Sequence, residues 1–559
     1  MNNKKIKNYI PEILDLILYM VCMIIIMYFH EPWFDEAQAW LIARDASLKD
    51  IFFVLPHYEG HPPIWHLVLL PFAKLGAPFE LSIKLVSLTF CSIAMGLFIF
   101  KAPFKRIIRL TIPFTYFFFY QYGVISRPYC ILMLGFILCA MFYREKNIKS
   151  FRFIISLMII CSASAYGIIL SAGIAIVWLI EIFYKDFSLN YIKRFLFGKR
   201  FWGLLVLLVY NLMLVISIIP KSDTYAISNV VKNNDYINRF IYMFFVLPGD
   251  ATYLDICNYL FARFQFNISG VVGIVGSSII SIIIIMLAKR HNKILLLIVP
   301  YSLMAIFSIF VYFHTHHIGV ITLFFLFVIW CCLEDKEEKN ITFYFFRRLI
   351  KDDSDITLLR KIPKVFFGIV ICVSIVWTIV SSINEIYTPY GEGRDLARFI
   401  KMNNLDKYKI MAQWKEYTNN ETNETVLDTN LINNTCVLPY FGKNIFYNFN
   451  ISMPNKCYTT HKVGNNYDNI EKWKELGIPD VIIGNVNLNT VFDDSINYND
   501  YVCIYDAKAS YIWKSEVIDY EALVYIRKDL MNEFPNLKEL KLEDYKMGRA
   551  YNYKELINK

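Results

Sequence analysis

The stretch EILDLILYMVCMIIIMYFHEPWFDE, residues 12–36, joins a long apolar run to an abruptly polar segment. Within the apolar part, acidic side chains occur only at Glu12 and Asp15, close to its start. A helix of this length crosses most of a hydrocarbon core of about 30 Å. Backbone N–H groups inside a bilayer must bond within their own segment, which favours a helix. The stretch therefore predicts a membrane-spanning helix followed by a surface loop.

Similar apolar runs recur along the chain. Of its 559 residues, 56% are hydrophobic and 19% are charged, which is far from the composition of an average water-soluble domain. We predict about eleven transmembrane helices, at residues 12–29, 80–100, 107–123, 128–143, 153–166, 167–184, 201–219, 270–288, 294–313, 318–333 and 365–383.

The connecting loops predict the orientation of these helices. With the N-terminus in the cytoplasm, five Lys- and Arg-rich loops lie inside, as the positive-inside rule requires, at 101–109, 144–152, 185–200, 289–293 and 334–364. The apolar stretch 62–76 would reverse this pattern if it crossed the bilayer, so we interpret it as a re-entrant or interfacial helix. The chain is thus predicted to be a multi-pass protein of the plasma or inner membrane.

Three regions then face outward: 30–79, 220–269 and 384–559. The last changes to short β-rich and helical segments, which predict a soluble α/β domain. Strands are expected at 409–413, 436–441, 445–449, 480–484 and 501–505, and helices at 392–402 and 468–476. The predicted fold class is a mainly α membrane protein with a C-terminal extracytoplasmic α/β domain. Its predicted domains are 1–383, with a catalytic first outer loop at 30–79, and 384–559.

Charge and cysteine content add little to this prediction. The net charge of +9 is explained mostly by the inner loops, so no nucleic-acid partner is expected from it. Membrane lipids are expected partners of a multi-pass chain. Among the twelve cysteines, Cys436 and Cys457 would both lie outside, and whether they pair is left open.

The first outer loop carries the strongest functional signal. Asp35 and Glu36 open a helix just after the membrane exit, and neighbouring helical side chains point about 100° apart. One carboxylate can therefore face a site while the other supports the surrounding structure. A simpler explanation is that the helix dipole stabilises both carboxylates near the helix start. Against it, charge at the membrane is costly, and a second cluster containing Glu59 and His61 can fold back towards them.

Two later hinges add polar groups on the same face. Arg127 follows Ser126 on the next outer hinge, where a guanidinium can hold phosphate oxygens. An arginine at the membrane interface can also place its charged group in water without any such role. The hinge His314-Thr315-His316-His317 could contact a phosphate or a sugar, could bind a divalent metal, or could be merely solvated.

The motifs resemble one known family. Asp35-Glu36 followed by His61-Pro62-Pro63 in the first outer loop, and Ser126-Arg127-Pro128-Tyr129 on the next hinge, are similar to the C-type glycosyltransferase (GT-C) superfamily. The similar branch contains the protein O-mannosyltransferases and the lipid A aminoarabinose transferases. The chain lacks the inserted lumenal repeat domain of the O-mannosyltransferases and has Trp65 where they have Gly-Lys.

This resemblance implies a glycosyltransferase with a polyprenyl-phosphate sugar as donor. The acceptor hydroxyl would belong to an unidentified glycan, lipid or protein. Asp35 is expected to be the general base, with Glu36 as second choice, and no cofactor or metal ligand is assigned. The residues expected to bind the donor phosphate or sugar are Arg127, His61, Glu59, His317, His316 and Tyr129.

Two other classes remain open from the sequence. A transporter or flippase of a lipid-linked glycan would place charges near mid-bilayer on broken helices and show internal repeats. A non-catalytic membrane scaffold would leave the Asp-Glu and His-Pro-Pro loop unexplained.

Overall fold

A computed structural model describes most of the chain and shows a bundle of apolar helices followed by a C-terminal region with two small sheets. The described residues are 9–185, 187–224, 236–253, 269–313, 315–334, 353–418, 425–429, 431–461, 467–468, 470–493, 495–513 and 516–540. The predicted fold class, a polytopic helical membrane protein with a C-terminal α/β part, is confirmed.

Ten of the eleven predicted apolar runs coincide with single helices. Their bounds are Ile10–Phe29, Phe79–Lys101, Tyr129–Tyr143, Ser150–Ala163, Ala165–Lys185, Lys199–Ile218, Ser269–Arg290, Ile294–Phe310, Ile318–Glu334 and Asp353–Tyr387. Within the described residues, five helices are long and apolar enough to cross a membrane: Ile10–Phe29, Phe79–Lys101, Ala165–Tyr184, Lys199–Ile218 and Val365–Tyr387. We call Ile10–Phe29 the first helix and Asp353–Tyr387 the last membrane helix.

The eleventh run, 107–123, was wrongly predicted as one continuous helix. A short helix, Arg106–Thr111, passes into a 3₁₀ turn at Ile112–Phe114. Proline at 113 has no N–H to continue the α-helical ladder, and Thr115 is extended. The chain then forms a wide π-type helix, Phe117–Val124, which is buried throughout and leads directly into the Ser126-Arg127 hinge. Wide turns of this kind are frequent at functional sites.

Two helices of the first loop lie side by side. The loop helix, Phe34–Asp45, packs against the surface helix, Ile64–Lys74, and Lys74 Nζ donates to the carbonyls of Arg44 and Ala46. At 11 residues the surface helix is about 17 Å long, too short to span a bilayer. Shorter helices, Leu48–Phe53 and Pro56–Glu59, connect the two.

Further short helices occupy the remaining loops. Tyr236–Ile241, a wide turn at Tyr242–Val246, and Leu247–Tyr253 lie in the region predicted only as an outer loop, and they pack among the long helices. Leu189–Leu196 is an amphipathic helix in a basic loop. Residues 335–352 of the predicted inner loop lie outside the described residues, and the last membrane helix begins at Asp353, earlier than predicted.

The C-terminal region contains a four-stranded and a three-stranded sheet. The larger has the order β1-β5-β7-β6, formed by Ile410–Met411, Val481–Ile483, Glu516–Arg527 and Tyr501–Trp513. Its β1 and β5 are parallel, and the other pairs are antiparallel. The smaller sheet is antiparallel, with Lys415–Thr418 (β2), Thr425–Asp428 (β3) and Tyr467–Asp468 (β4) in that order. The helices of this region are Gly393–Met402, Ile432–Val437, Ile470–Leu476 and Leu488–Phe492.

Two predicted strands of this region are wrong. The segment 436–441 continues a helix that ends at Val437 and then forms a 3₁₀ turn, Leu438–Tyr440, with proline at its start. The segment 445–449 is mostly irregular, and Phe446 makes a single bridge to Ile410. Short apolar runs do not distinguish strand from buried helix by pattern alone. Cys436 and Cys457 are both free and buried.

One hydrophobic core joins the first loop to the C-terminal region. Leu41, Ile42 and Ile51 of the loop pack in the same cluster as Leu396 and Val481. At the opposite end of the bundle, Arg106 and Arg109 of a basic loop pair with Glu12. The first loop and the C-terminal region therefore share one end, which we call the site end.

Candidate active site

The predicted site residues converge at the site end. The loop helix begins there after Trp33, whose N–H donates to Glu36 Oε2 at 2.9 Å, so Glu36 satisfies a free donor of the first helical turn. The hinge between the wide helix and Tyr129–Tyr143 brings Arg127 to the same place. The short helix Pro56–Glu59 and the residues directly after it supply Glu59 and His61, and the 3₁₀ turn Thr315–His317 supplies His317.

Asp35 and Arg127 form an ion pair at the centre of this cluster. Arg127 Nη1 lies 2.8 Å from Asp35 Oδ2, and the Arg127 side chain is only 9% exposed whereas that of Asp35 is 30% exposed. The guanidinium also lies over the Tyr129 ring, 5.4 Å from its centroid. A largely buried cation thus faces an accessible carboxylate.

Glu36 points the other way and is completely buried. Besides Trp33 N–H, its carboxylate accepts from the backbone N–H of Ser126 at 2.7 Å and lies 3.1 Å from His30 Nε2. The two adjacent acids therefore have separate surroundings: Asp35 lies beside Arg127, and Glu36 joins the first loop to the Ser126-Arg127 hinge.

Glu59 and His61 fold back beside the loop helix. Gln38 Nε2 donates to Glu59 Oε1 at 3.0 Å, and His461 Nε2 lies 3.7 Å from the same oxygen. Burial raises the pKa of the Glu59 carboxyl, and His461 offsets part of the rise. Burial, together with the positive charge of Arg127, lowers the pKa of His61 to about 4. A neutral His61 and a carboxylate suit sugar hydroxyls better than phosphate oxygens.

Aromatic side chains enclose the other side of the cluster. The Tyr129 hydroxyl lies 2.7 Å from His317 Nδ1, and the Tyr129 ring stacks on Tyr122 with centroids 4.4 Å apart. Tyr122 donates to the carbonyl of His316 at 3.3 Å, and the His61 ring is 6.1 Å from that of His317. Of the predicted hinge at 314–317, it is therefore mainly His317 that contributes a side chain to the site.

No metal site is visible in the described part of the chain, where no three His, Cys, Asp or Glu side chains are grouped to hold an ion. His314, which the sequence grouped with His317, lies outside the described residues.

Several site residues were missed in the sequence. His30 lies between Glu36 and Glu385, and Gln38 binds the backbone of Thr459 through two hydrogen bonds of 2.7 and 2.9 Å. A carboxylate near the end of an apolar span, as at Glu385, is a functional signal that the sequence did offer. His461 comes from the distant C-terminal region and has no local signature.

These features define a polytopic α-helical membrane protein with an acid- and arginine-containing site at one end of its bundle, covered by its C-terminal region. The chain matches no known protein-family model and no curated protein sequence. Among solved structures it is similar to the crystal structure of ArnT from Cupriavidus metallidurans bound to undecaprenyl phosphate. The identity is 10%, the match covers 92% of this chain and 97% of that chain, and the TM-score is 0.45.

Proposed function

We propose that the protein is a membrane glycosyltransferase that moves a sugar from a polyprenyl-phosphate donor to an acceptor hydroxyl at the extracytoplasmic surface. The observation that carries this proposal is the ion pair between Asp35 and Arg127. It combines a possible proton acceptor with a phosphate ligand at the end of a membrane bundle. The basic loops at the opposite end support the orientation, since such loops are typically cytoplasmic.

The proposed reaction is a single displacement. Arg127 binds the donor phosphate, and the phosphate competes with Asp35 for the guanidinium. Asp35, released and partly exposed, accepts the proton of the acceptor hydroxyl. The hydroxyl oxygen forms a bond to the anomeric carbon while the bond from that carbon to the phosphate oxygen breaks. Polyprenyl phosphate leaves, its charge stabilised by Arg127.

The other predicted ligands divide between the sugar and the phosphate. Glu59 and neutral His61 are assigned to sugar hydroxyls, because a carboxylate repels phosphate. Tyr129 and His317, which contact each other beside Arg127, are assigned to the phosphate side. His316 acts through its backbone on Tyr122 and is assigned a supporting role.

The test is transfer of radiolabelled sugar from polyprenyl-phosphate donors by purified protein in nanodiscs. Asp35→Asn is expected to lower the rate of transfer by about 10² to 10⁴, whereas Asp50→Asn, on the next short helix, is expected to retain it. Full activity in Asp35→Asn would overturn the mechanism. Donor binding without transfer to any glycan, lipid or protein acceptor would favour a flippase, and neither binding nor transfer would favour a scaffold.

A further inference from the structure

His30 lies between two buried carboxylates. Its Nε2 is 3.1 Å from Glu36 Oε2, and its Nδ1 is 3.0 Å from Glu385 Oε1. All three side chains are at most 1% exposed. His30 immediately follows the first helix, whereas Glu385 stands near the end of the last membrane helix.

With both glutamates ionised, this geometry favours the doubly protonated imidazole. A neutral imidazole has one N–H and would present a lone pair to one of the two carboxylates. The imidazolium donates to both, and its charge offsets part of theirs. The Tyr120 hydroxyl also donates to Glu385 Oε1, at 2.6 Å.

Other charged and titratable groups also face His30. Its carbonyl accepts from Lys84 Nζ and from Arg394 Nη2, each at 2.6 Å, and its ring lies 5.1 Å from that of Tyr390. Burial alone lowers the pKa of His30, but attraction to Glu385 and Glu36 outweighs it and raises the pKa to about 9.

The His30 contacts extend to the reacting groups through Glu36. This carboxylate accepts from Trp33 N–H at the start of the loop helix and from Ser126 N–H next to Arg127. It therefore joins the segment that carries Asp35 to the segment that carries Arg127.

We propose that His30, as an imidazolium held between Glu36 and Glu385, is a positioning residue that sets the distance between Asp35 and Arg127. This inference rests on the proposed transferase function. Misplacing reacting groups by about 1 Å costs on the order of a hundredfold in rate. Loss of the imidazolium should therefore lower kcat far more than it weakens donor binding.

The first test replaces the imidazolium. His30→Gln offers one amide to two carboxylates and is expected to lower kcat about 10- to 100-fold, with donor KM changed less than about threefold. Unchanged kcat in folded His30→Gln would overturn the proposal.

The second test is a pH profile, which a merely structural role would not alter. Because the pKa of His30 is raised, the imidazolium is present at neutral pH and is lost as pH rises through about 9. Glu385→Gln removes one attracting charge, so the alkaline limb of kcat should move to lower pH. Glu145→Gln, an exposed acid of the basic-loop end, should leave the limb in place.

If the alkaline limb of the kcat profile does not move in Glu385→Gln, the positioning role of His30 is overturned. This variant provides the test if His30→Gln fails to fold. The two proposals fail separately. If Asp35→Asn is inactive while both His30→Gln and Glu385→Gln behave as wild type, only the positioning role is lost. If Asp35→Asn is fully active, the transferase mechanism itself is lost.

Discussion

Arg127 Nη1 contacts Asp35 Oδ2 at 2.8 Å, joining the hinge before Tyr129–Tyr143 to the first turn of the loop helix. The arginine is the more buried partner, so its charge is held in place while the carboxylate keeps access to solvent. A phosphate that binds Arg127 therefore also changes the surroundings of Asp35. In the proposed reaction, donor binding and activation of the base are therefore coupled through this contact.

Replacing Arg127 is expected to weaken donor binding. Arg127→Gln removes a charge-assisted contact worth about 1.5–3 kcal/mol, which corresponds to about tenfold to hundredfold in Kd. Titration of nanodisc-embedded protein with polyprenyl phosphate measures it. Arg398→Gln is the control, because the Arg398 side chain is 66% exposed. Equal affinities in the two variants would contradict the assignment of Arg127.

Replacing Asp35 and Glu36 by their amides is expected to have different effects, on kcat for the first and on stability for the second. Asp35→Asn is expected to lower kcat by about 10² to 10⁴ with little loss of stability, because Asn keeps an oxygen for Arg127. Glu36→Gln sets its own N–H₂ group against the N–H of Trp33 or Ser126, at a cost of about 1.5–3 kcal/mol. Thermal unfolding in detergent, beside the transfer assay, separates the effects. A destabilised Asp35→Asn with stable Glu36→Gln would reverse this assignment.

Arg394 links the C-terminal region to the end of the first helix and to Glu80. Its guanidinium binds Glu80 at 2.5 and 2.7 Å and the His30 carbonyl at 2.6 Å, and its backbone N–H donates to buried Glu31. Arg394→Ala removes these contacts, while Glu80 keeps Lys84 and Tyr440 as partners, and is expected to cost about 1.5–3 kcal/mol.

The measurement for Arg394 is limited proteolysis of the C-terminal region together with thermal unfolding. Arg398→Ala, one helical turn away and mostly exposed, should change stability by less than about 0.5 kcal/mol. Equal protease resistance in both variants would show that Arg394 does not attach this region.

Cysteine labelling tests the proposed orientation. Exposed positions 49, in the first loop, and 402, in the C-terminal region, belong to the site end, whereas Ile148 is 86% exposed at the basic-loop end. A membrane-impermeant maleimide should label Lys49→Cys and Met402→Cys in intact cells. It should label Ile148→Cys only after permeabilisation. Opposite accessibility of positions 49 and 402 would contradict a single extracytoplasmic site.

The sequence predicted the helices well where the local signal is strong. Ten predicted apolar runs are helices, because each apolar segment in a bilayer must satisfy its backbone hydrogen bonds within itself. The prediction of one helix at 107–123 is wrong because proline at 113 interrupts the helical hydrogen bonds, while the segment as a whole stays apolar. The prediction of a strand at 436–441 is wrong because these apolar residues are buried in a helix and a turn. Short buried helices and strands have similar composition.

The first loop shows most clearly what the sequence alone determined. Its Asp35-Glu36 and Glu59-Gly60-His61 motifs, and its position directly after a membrane helix, follow from local residue order and hydropathy. Only the tertiary structure decided that Asp35 faces Arg127 while Glu36 is buried against Ser126 and His30. The reason is physical: the direction of each carboxylate depends on donors from segments far apart in the chain, and these meet only when the helices pack together.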